Sequence, residues 1–288
     1  MNTSSYLKEV ACAKINLNFK VLKKLPSSFH KIDSFVAFLP QLYDTLLIKK
    51  NSKNKIFIKG AESKELLRLG GDTLITKSID KIAVYYKIKI NLEVILNKSI
   101  PLGAGLGGGS ANAAAIIRAI LKIYNLKKKK DFIALLNEIG SDVPVCFFSQ
   151  NSQVTGVGDI IKPLTPLNQK LWVLLIKPNI LSETKNIFYH FKGPYSKRSN
   201  FIFNLKNIIN DINTYQNSLE ITACRLERKI KELIDSLPSS NNITKPRITG
   251  SGSTVFLLFE KKKDLTQYKN EVKHVLKNYW SLSTYIYL

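Results

Sequence analysis

Cysteine is scarce in this chain, and its placement excludes two ways of stabilising a small protein. The sequence contains only three cysteines, Cys12, Cys146 and Cys224, which lie far apart. It has no CxxC pair and no cluster of histidine and cysteine, which structural zinc sites and disulfide frameworks need. The pattern therefore favours a reduced protein of the cytoplasm.

Long hydrophobic runs are also absent. No apolar stretch reaches the roughly 18 residues that a membrane-spanning helix needs. The first residues, MNTSSYLKEVACAKINLNF, do not combine a basic start with an apolar run, so they do not predict a secretion signal. We therefore expect no membrane partner. With 288 residues, of which 44% are hydrophobic, the chain is long enough for two domains with a real core.

Acidic residues are few, at 21 against 44 basic ones, and the formal net charge is +23. Such a charge attracts polyanions, so a nucleic-acid partner is one hypothesis. The lysines are, however, spread along the whole chain, and an AT-rich genome produces a chain rich in Ile, Asn and Lys without selection for binding. We therefore favour an anionic small substrate and no specific nucleic acid.

Hydrophobic periodicity predicts both strands and helices. Residues 10–22 alternate between apolar and polar and predict a strand, followed by a loop over 24–34. Helices are predicted over 72–86, with an Asp-Thr start that can cap it, over 110–124, and over 218–237.

The hydrophobic periodicity is interrupted at 163–167, and the predicted strand KLWVLLIKP that follows begins a new unit. The sequence thus predicts an α+β protein with domains at 1–165 and 166–288.

The stretch IPLGAGLGGGSANAAAIIRAI, residues 100–120, is the most informative one. Glycine has no Cβ, so the backbone can turn sharply and a ligand can touch it. The helix that follows begins with N–H groups that have no partner inside it, which favours a bound phosphate. Ser110 and Asn112 add side-chain donors at the rim. The stretch lacks the features of a Walker loop or a dinucleotide fingerprint, and a flexible turn or a tight packing site is the alternative.

Two charged residues stand in apolar surroundings. Lys14 lies inside a predicted strand, and Asp142 lies in the turn GSDVPV. A charge is costly there unless it is paired, so the residues alone allow either a structural ion pair or a catalytic pair. Phe29 and His30, in the predicted loop, allow either packing or recognition of a base.

The full string PLGAGLGGGSANAA resembles the phosphate loop of the GHMP kinases, the superfamily of galactokinase, homoserine kinase and mevalonate kinase. AKINLNFKVL from Ala13 and RITGSGSTVFLLF from Arg247 resemble the N-terminal and C-terminal motifs of that superfamily, so the resemblance covers nearly the whole chain. It implies the two-domain α+β GHMP kinase fold. The N-terminal domain is then ribosomal-protein-S5-like and binds ATP, and the C-terminal domain is ferredoxin-like.

Shorter motifs resemble one branch of the superfamily, whose substrate carries cytidine diphosphate. They are the loop Ser28-Phe29-His30, the DVP element in 140–144 and the turn GVGD at 156–159. The chain has Ser27-Ser28-Phe29 where that branch has Asp-Gly-Tyr, and Thr73-Leu74 where it has Asn-Leu.

The resemblance implies an ATP-dependent kinase that phosphorylates an alcohol. In it, Asp142 takes the proton of the substrate hydroxyl, while Lys14 orients Asp142 and lowers the pKa of that hydroxyl. Mg²⁺ bridges the ATP phosphates and arrives with ATP, so no dedicated metal site is expected. The phosphate loop comprises Pro101, Leu102, Gly103, Ala104, Gly105, Leu106, Gly107, Gly108, Gly109, Ser110 and Ala111.

The resemblance also implies a cytidine site and the state of the protein. Phe29, His30, Thr184 and Phe188 are expected to bind the cytidine, with the GSGST segment at 250–254 lining the active site. The expected partners are the two small-molecule substrates alone, bound by a monomer or weak homodimer.

Two alternatives remain open. One is another GHMP kinase, such as homoserine kinase, against which the Phe29-His30 loop and the DVP element argue. The other is an inactive GHMP-fold regulator or nucleic-acid binder, which the net charge suggests. The presence of Lys14, Asp142 and the glycine loop argues against this second alternative.

Overall fold

The computed structural model describes residues 6–27, 29–198, 208–239 and 243–288. The chain divides into two compact units. The described residues of Met1–Ala13, Leu42–Leu102 and Gly107–Ser149 form the first unit, and those of Lys14–Gln41, Gly103–Leu106 and Gln150–Leu288 form the second. Two long strands, β1 (Leu7–Lys24) and β2 (His30–Lys50), contribute residues to both units.

The first unit packs helices on a short mixed sheet. Its further elements are β3 (Lys55–Lys59), α1 (Ser63–Arg68), α2 (Thr73–Tyr86), β4 (Leu92–Asn97), α3 (Gly108–Ile123), α4 (Phe132–Ile139) and α5 (Val143–Phe148). Strand β4 lies between β3, to which it is parallel, and the second half of β2, to which it is antiparallel. Helix α3 packs against α2 and α5, and α4 contacts both α2 and α5.

Local sequence explains the two central helices of this unit. The predicted cap of α2 is confirmed, because the Asp72 carboxylate accepts hydrogen bonds from the backbone N–H groups of Leu74 and Ile75, both at 3.2 Å. Helix α3 begins at Gly108, two residues before the predicted start, and buries small side chains on nearly all sides. These alanines let the neighbouring helices approach it closely.

The second unit contains a four-stranded antiparallel sheet. Its order is β10 (Trp280–Tyr287), β7 (Lys170–Lys177), β9 (Val255–Phe259) and β8 (Arg247–Ile248). Leu174, Ile176 and Leu257 belong to a hydrophobic core that also includes side chains of the helices. The helices of this unit are α6 (Thr184–His190), α7 (Ile208–Thr214), α8 (Glu220–Leu226), α9 (Arg228–Asp235), α10 (Lys262–Glu271) and α11 (Lys273–Leu276). Of these, α6 and α8–α11 contribute side chains to this core.

A second group of strands in this unit was only partly predicted. The first half of β2 pairs with β5 (Ser152–Gly156), which pairs with β6 (Ile160–Pro163). The turn GVGD connects these two strands, neither of which was predicted. Strand β2 begins at His30, so the loop predicted over 24–34 is shorter in the structure.

The single helix predicted over 218–237 is wrong, because the structure has α8 and α9 there. Glu227 separates them with φ −123° and ψ 83°, which is not a helical conformation. The apolar spacing continues through this break, so periodicity alone did not reveal it. Across the described parts of the chain, no helix has both the length and the hydrophobicity needed to cross a membrane.

Candidate active site

The glycine-rich stretch contributes to both units. Pro101, Leu102 and 107–111 belong to the first unit, whereas 103–106 belong to the second. Gly107 precedes α3 in the left-handed conformation, with φ 71° and ψ 15°, which favours glycine. A Cβ on Gly108 would lie 3.0 Å from the Ile100 side chain and 3.1 Å from the Lys98 ammonium. The start of α3 therefore lies directly against its neighbours, and its first N–H groups have no partner inside the helix.

A buried ion pair supports the chain just before this stretch. Lys98 Nζ lies 2.7 Å from Asp44 Oδ2, and the two side chains are 2% and 0% exposed. The same ammonium donates to the Ile100 carbonyl at 2.6 Å. Asp44 Oδ1 accepts from the N–H groups of Ser99 and Ile100 at 2.6 and 2.8 Å. The pair thus determines the course of residues 98–100 and brings a positive charge close to the start of α3.

Sequence reasoning missed this pair. A lysine directly after the apolar strand LEVILN was a signal, since a charge at the end of a buried strand needs a partner. Its partner, Asp44, is 54 residues away, and no local pattern identifies it.

Asn112 has a different place from the one predicted. It is fully buried on α3 rather than at the rim of the glycine stretch. Its amide donates to Asp72 Oδ2 at 2.9 Å, while Asn112 Oδ1 is buried without a hydrogen-bond partner among the described residues. Burial raises the pKa of the Asp72 carboxyl. The hydrogen bond from Asn112 is the largest of the effects that lower this pKa. The contact ties the cap of α2 to α3.

A cavity of about 900 Å³ lies beside the start of α2 in the first unit. Ile56, Ile58 and Leu67 give it apolar walls, and Asp72 and Thr73 contribute polar groups. Cavities of this size and mixed lining commonly hold small ligands.

Asp142 is half-buried at the end of a short turn between α4 and α5. The turn also contains Gly140, at which a Cβ would lie 3.9 Å from the hydroxyl oxygen of Ser110. The turn therefore lies close to the first residues of α3, within the same unit.

Lys14 belongs to the second unit and is 3% exposed. Its ammonium donates to Asn16 Oδ1 at 2.7 Å and to the Gly105 carbonyl at 3.2 Å. Its backbone N–H donates to the Leu106 carbonyl at 3.0 Å. The predicted catalytic lysine is therefore in direct contact with part of the predicted phosphate loop.

Two buried polar residues that follow Lys14 on β1 were missed, Asn16 and Asn18. Asn16 donates to Ser34 Oγ at 2.8 Å, and Asn18 Oδ1 accepts from the Phe35 N–H at 2.5 Å. Because side chains alternate along a strand, Lys14, Asn16 and Asn18 lie on one face of β1. That period of two in AKINLNF was the signal.

The GSGST segment packs closely on residues 103–106 within the second unit. A Cβ on Gly105 would lie 2.6 Å from the carbonyl oxygens of Gly252 and Thr249. The Thr254 N–H donates to the Ala104 carbonyl at 3.1 Å, and the Ser253 hydroxyl donates to the Gly103 carbonyl at 3.2 Å. The two glycine-rich segments therefore support each other through backbone contacts and the Ser253 hydroxyl.

The predicted cytidine residues all belong to the second unit. The rings of His30 and Phe188 lie 5.2 Å apart at 35°, and Phe191 meets His30 edge-on at 6.2 Å. His30 is 8% exposed, and its Nε2 is buried without a partner among the described residues. Burial and, to a smaller extent, the charge of Lys24 lower the pKa of His30, which favours the neutral ring.

The remaining cytidine candidates lie in different surroundings. Thr184 Oγ1 lies 2.9 Å from Ser251 Oγ, so it contacts the GSGST segment. Phe29 is 61% exposed, which leaves its ring available for stacking. Ser28, the first residue of the predicted Ser28-Phe29-His30 motif, lies outside the described residues.

No group of three or more His, Cys, Asp or Glu side chains that could hold a metal ion occurs within the described ranges. A magnesium ion that arrives with a nucleotide needs only one or two protein ligands.

Comparison with known proteins identifies the class of this chain. Residues 73–150 match the N-terminal domain of the GHMP kinases, and residues 204–278 match the C-terminal domain. The fold and the glycine-rich stretch before α3 are thus those of a GHMP kinase. A crystal structure of 4-(cytidine 5'-diphospho)-2C-methyl-D-erythritol kinase, 22% identical, has the same fold, with a TM-score of 0.73 over 98% of this chain and 100% of that chain.

Two relatives show to which family within the GHMP kinases this chain belongs. The 4-diphosphocytidyl-2-C-methyl-D-erythritol kinase of Thermodesulfovibrio yellowstonii is 33% identical over 88% of this chain and 90% of its own length. The enzyme of the same name from Anaplasma marginale is 33% identical over 87% and 86%. The chain belongs to the 4-diphosphocytidyl-2-C-methyl-D-erythritol kinase family.

Proposed function

We propose that this protein transfers the γ-phosphoryl group of ATP to the 2-hydroxyl of 4-(cytidine 5'-diphospho)-2-C-methyl-D-erythritol, a step of the methylerythritol phosphate route to isoprenoids. One observation carries the proposal. The glycine-rich start of α3 occurs in the same chain as the His30–Phe188 ring pair, in which His30 Nε2 is buried without a partner among the described residues. The start of α3 is suited to bind phosphates, and the ring pair is suited to bind a base.

The phosphate donor is ATP, as in the GHMP kinases. In the proposal, residues 101–111 hold the phosphates, because backbone N–H groups at a helix start bind anions. The adenosine occupies the cavity beside α2, where Ile56 and Ile58 present apolar surface to the base. The Ser110 hydroxyl at the start of α3 would be a fitting oxygen ligand for an Mg²⁺ ion that arrives with ATP, and the ion would supply neutralisation of phosphate charge.

The chemical step needs a group that accepts the proton of an alcohol. We assign this role to Asp142, a half-buried carboxylate in the turn before α5. Lys14 lowers the pKa of the hydroxyl and orients Asp142. Both assignments rest on the resemblance to the GHMP kinases. The buried Lys14 ammonium is held by Asn16 and Gly105, so its position is determined before a substrate arrives.

The cytidine is proposed to bind through four residues. Phe29 stacks on one face of the base and Phe188 on the other, because aromatic rings and bases stack favourably. The neutral His30 ring reads the polar edge of the base through Nε2. This atom is buried without a partner in the described part of the chain, which is costly unless a ligand supplies one. Thr184 orients the diphosphate or ribose from the start of α6.

The proposal also includes the domain division, the cellular location and the oligomeric state of the protein. The proposed domain boundary near residue 165 lies between the two matched GHMP segments. The two compact units of the fold differ from this division, because residues 14–41, 103–106 and 150–165 belong to the second unit. The three widely spaced cysteines fit the reducing cytoplasm. A monomer or weak homodimer binds the two small substrates without a specific nucleic acid or membrane partner.

An assay of ADP release from ATP on a panel of alcohols tests the function. We expect turnover with the cytidine diphosphate of methylerythritol, inhibition by CDP that competes with this substrate, and no turnover with homoserine or mevalonate. Turnover of homoserine without inhibition by CDP would identify a different GHMP kinase.

A further inference from the structure

The segment that carries Asp142 has little stability of its own. Helix α4 has eight residues and α5 has six, and only Gly140, Ser141 and Asp142 separate them. Isolated helices of this length are marginal, and the last carbonyl groups of each have no partner inside the helix. The position of Asp142 therefore depends on what the rest of the first unit does with these two helix ends.

A lysine from α2 binds the end of α4. Lys77 Nζ donates to the carbonyl oxygens of Glu138 and Ile139 at 2.8 and 2.9 Å. These carbonyls lie four and three residues before Asp142. A cation at the C-terminal end of a helix also interacts favourably with the helix dipole.

An arginine from α3 binds the end of α5. Arg118 Nη1 donates to the carbonyl oxygens of Cys146 and Phe147 at 3.1 and 3.4 Å. These carbonyls lie four and five residues after Asp142. Arg118 is held in turn by Glu9, whose carboxylate lies 2.8 Å from Nε, and by the Val10 carbonyl, 2.7 Å from Nη2. The arginine is 19% exposed and Glu9 is 6% exposed, so this network is largely shielded from water.

We propose that Lys77 and Arg118 are positioning residues for phosphoryl transfer, which hold the Asp142 turn from its two sides. The inference rests on the proposed function, because it acts through Asp142 as the base. Lys77 lines the cavity assigned to the adenosine, and Arg118 stands on the helix that begins at the phosphate loop. Each contact thus joins the Asp142 turn to an element that binds ATP. Misplacing a reacting group by about 1 Å can lower a rate by on the order of 10²-fold.

The chain offers a control for each residue outside the cavity assigned to the adenosine. Lys129 Nζ donates to the Tyr85 carbonyl at 3.5 Å, so it binds the end of α2 as Lys77 binds the end of α4. Lys122 lies on α3 one helical turn after Arg118 and shares Glu9 with it, at 2.6 Å, but it is 61% exposed. Lys129→Met and Lys122→Met therefore remove a positive charge without removing a contact to α4 or α5 carbonyls.

The experiment measures kcat and both KM values for Lys77→Met, Arg118→Met and the two controls. We expect kcat to fall roughly 10- to 100-fold in Arg118→Met and several-fold in the more exposed Lys77→Met, following the cost of misplacement. The KM for the alcohol substrate should stay near that of the parent protein in every variant, and the controls should keep their kcat. Arg118→Lys keeps the charge beside Glu9 but not the five donors of a guanidinium. Its kcat should therefore lie between that of the parent protein and that of Arg118→Met.

Asp142→Asn then separates the two proposals. In that background, removing Lys77 or Arg118 should cause no further loss of kcat, because the base they position is gone. Equal losses in targets and controls, or additive losses on top of Asp142→Asn, would overturn the positioning role while leaving the proposed function intact. Normal turnover of Asp142→Asn itself would remove the proposed base and this inference with it. If Arg118→Met does not fold, as thermal unfolding would reveal, Arg118→Lys and Lys77→Met decide the question.

Discussion

At the scale of single residues, Lys14 illustrates how the surroundings of a charge restrict its use. A buried ammonium is costly unless it is satisfied, and Asn16 Oδ1 and the Gly105 carbonyl satisfy it here. These two contacts hold the ammonium in place within the second unit.

The catalytic assignment predicts a specific pattern of loss. Asp142→Asn keeps the shape of the side chain but removes the base, so turnover should fall by roughly 10²–10⁴, the usual worth of general-base catalysis. Lys14→Met should lose turnover by a comparable factor. The double variant should be little worse than either single one, because the two residues act as a unit. Steady-state kinetics with calorimetric affinities for ATP and CDP would check this, and near-normal turnover of a folded Asp142→Asn would refute the assignment.

Base recognition predicts a selective effect at Phe29. Because this ring is 61% exposed, Phe29→Ala should leave the fold unchanged and weaken binding of the cytidine substrate by about 1–3 kcal/mol, the worth of a stacked base. The affinity for ATP should be unaffected. Tyr189→Ala, which removes another exposed aromatic ring from α6, is the matched control and should bind both ligands normally. Equal weakening of both ligands by Phe29→Ala would mean that the residue serves packing.

At the scale of elements, the glycine-rich stretch combines two separate demands for glycine. Gly107 needs a left-handed backbone before α3, whereas Gly105 needs both that conformation and close approach to the GSGST segment. The carbonyls of Gly252 and Thr249 would lie 2.6 Å from an added Cβ on Gly105, and backbone atoms cannot move aside as a flexible side chain can.

This difference predicts unequal costs for two alanine substitutions. Gly70→Ala places a Cβ at φ +92° in open space, so it should lower the free energy of unfolding by about 1–2 kcal/mol through backbone strain alone. Gly105→Ala, at φ +71°, adds the steric overlap and should cost clearly more, with a weaker affinity for ATP. Chemical denaturation and calorimetry would measure both. Equal costs for the two variants would show that the GSGST segment does not restrict Gly105.

For the molecule as a whole, the net charge of +23 is the feature that the proposed kinase function explains least directly. Both proposed substrates are polyanions, and a positive field speeds the encounter with them. Scattered lysines also attract nucleic acid weakly, without reading its sequence.

The charge therefore predicts only weak binding of duplex DNA. At physiological salt we expect no tight complex, and any binding at low salt should decrease steeply as salt is added, without preference between sequences. Fluorescence anisotropy with two unrelated duplexes over a salt series would measure this. Submicromolar binding that persists at high salt would favour the nucleic-acid alternative.

Features that depend on neighbours along the chain were predictable from the amino-acid sequence. The Asp72 cap and the helix after it, the glycine-rich start of α3 and the strands β1 and β7 all follow from residue types a few positions apart, so they were predicted. The same holds for the resemblance to the GHMP kinases, because its motifs are short contiguous strings.

Pairings between residues far apart along the chain became visible only in the folded molecule. Asp44 meets Lys98, Asp72 meets Asn112, and Arg118 reaches both Glu9 and the end of α5 across gaps of 28 to 109 residues. The break at Glu227 lies in a segment whose apolar spacing still looks continuous. Packing of whole elements sets these contacts, and each depends on burial and on several other residues at once, so no local pattern contains them.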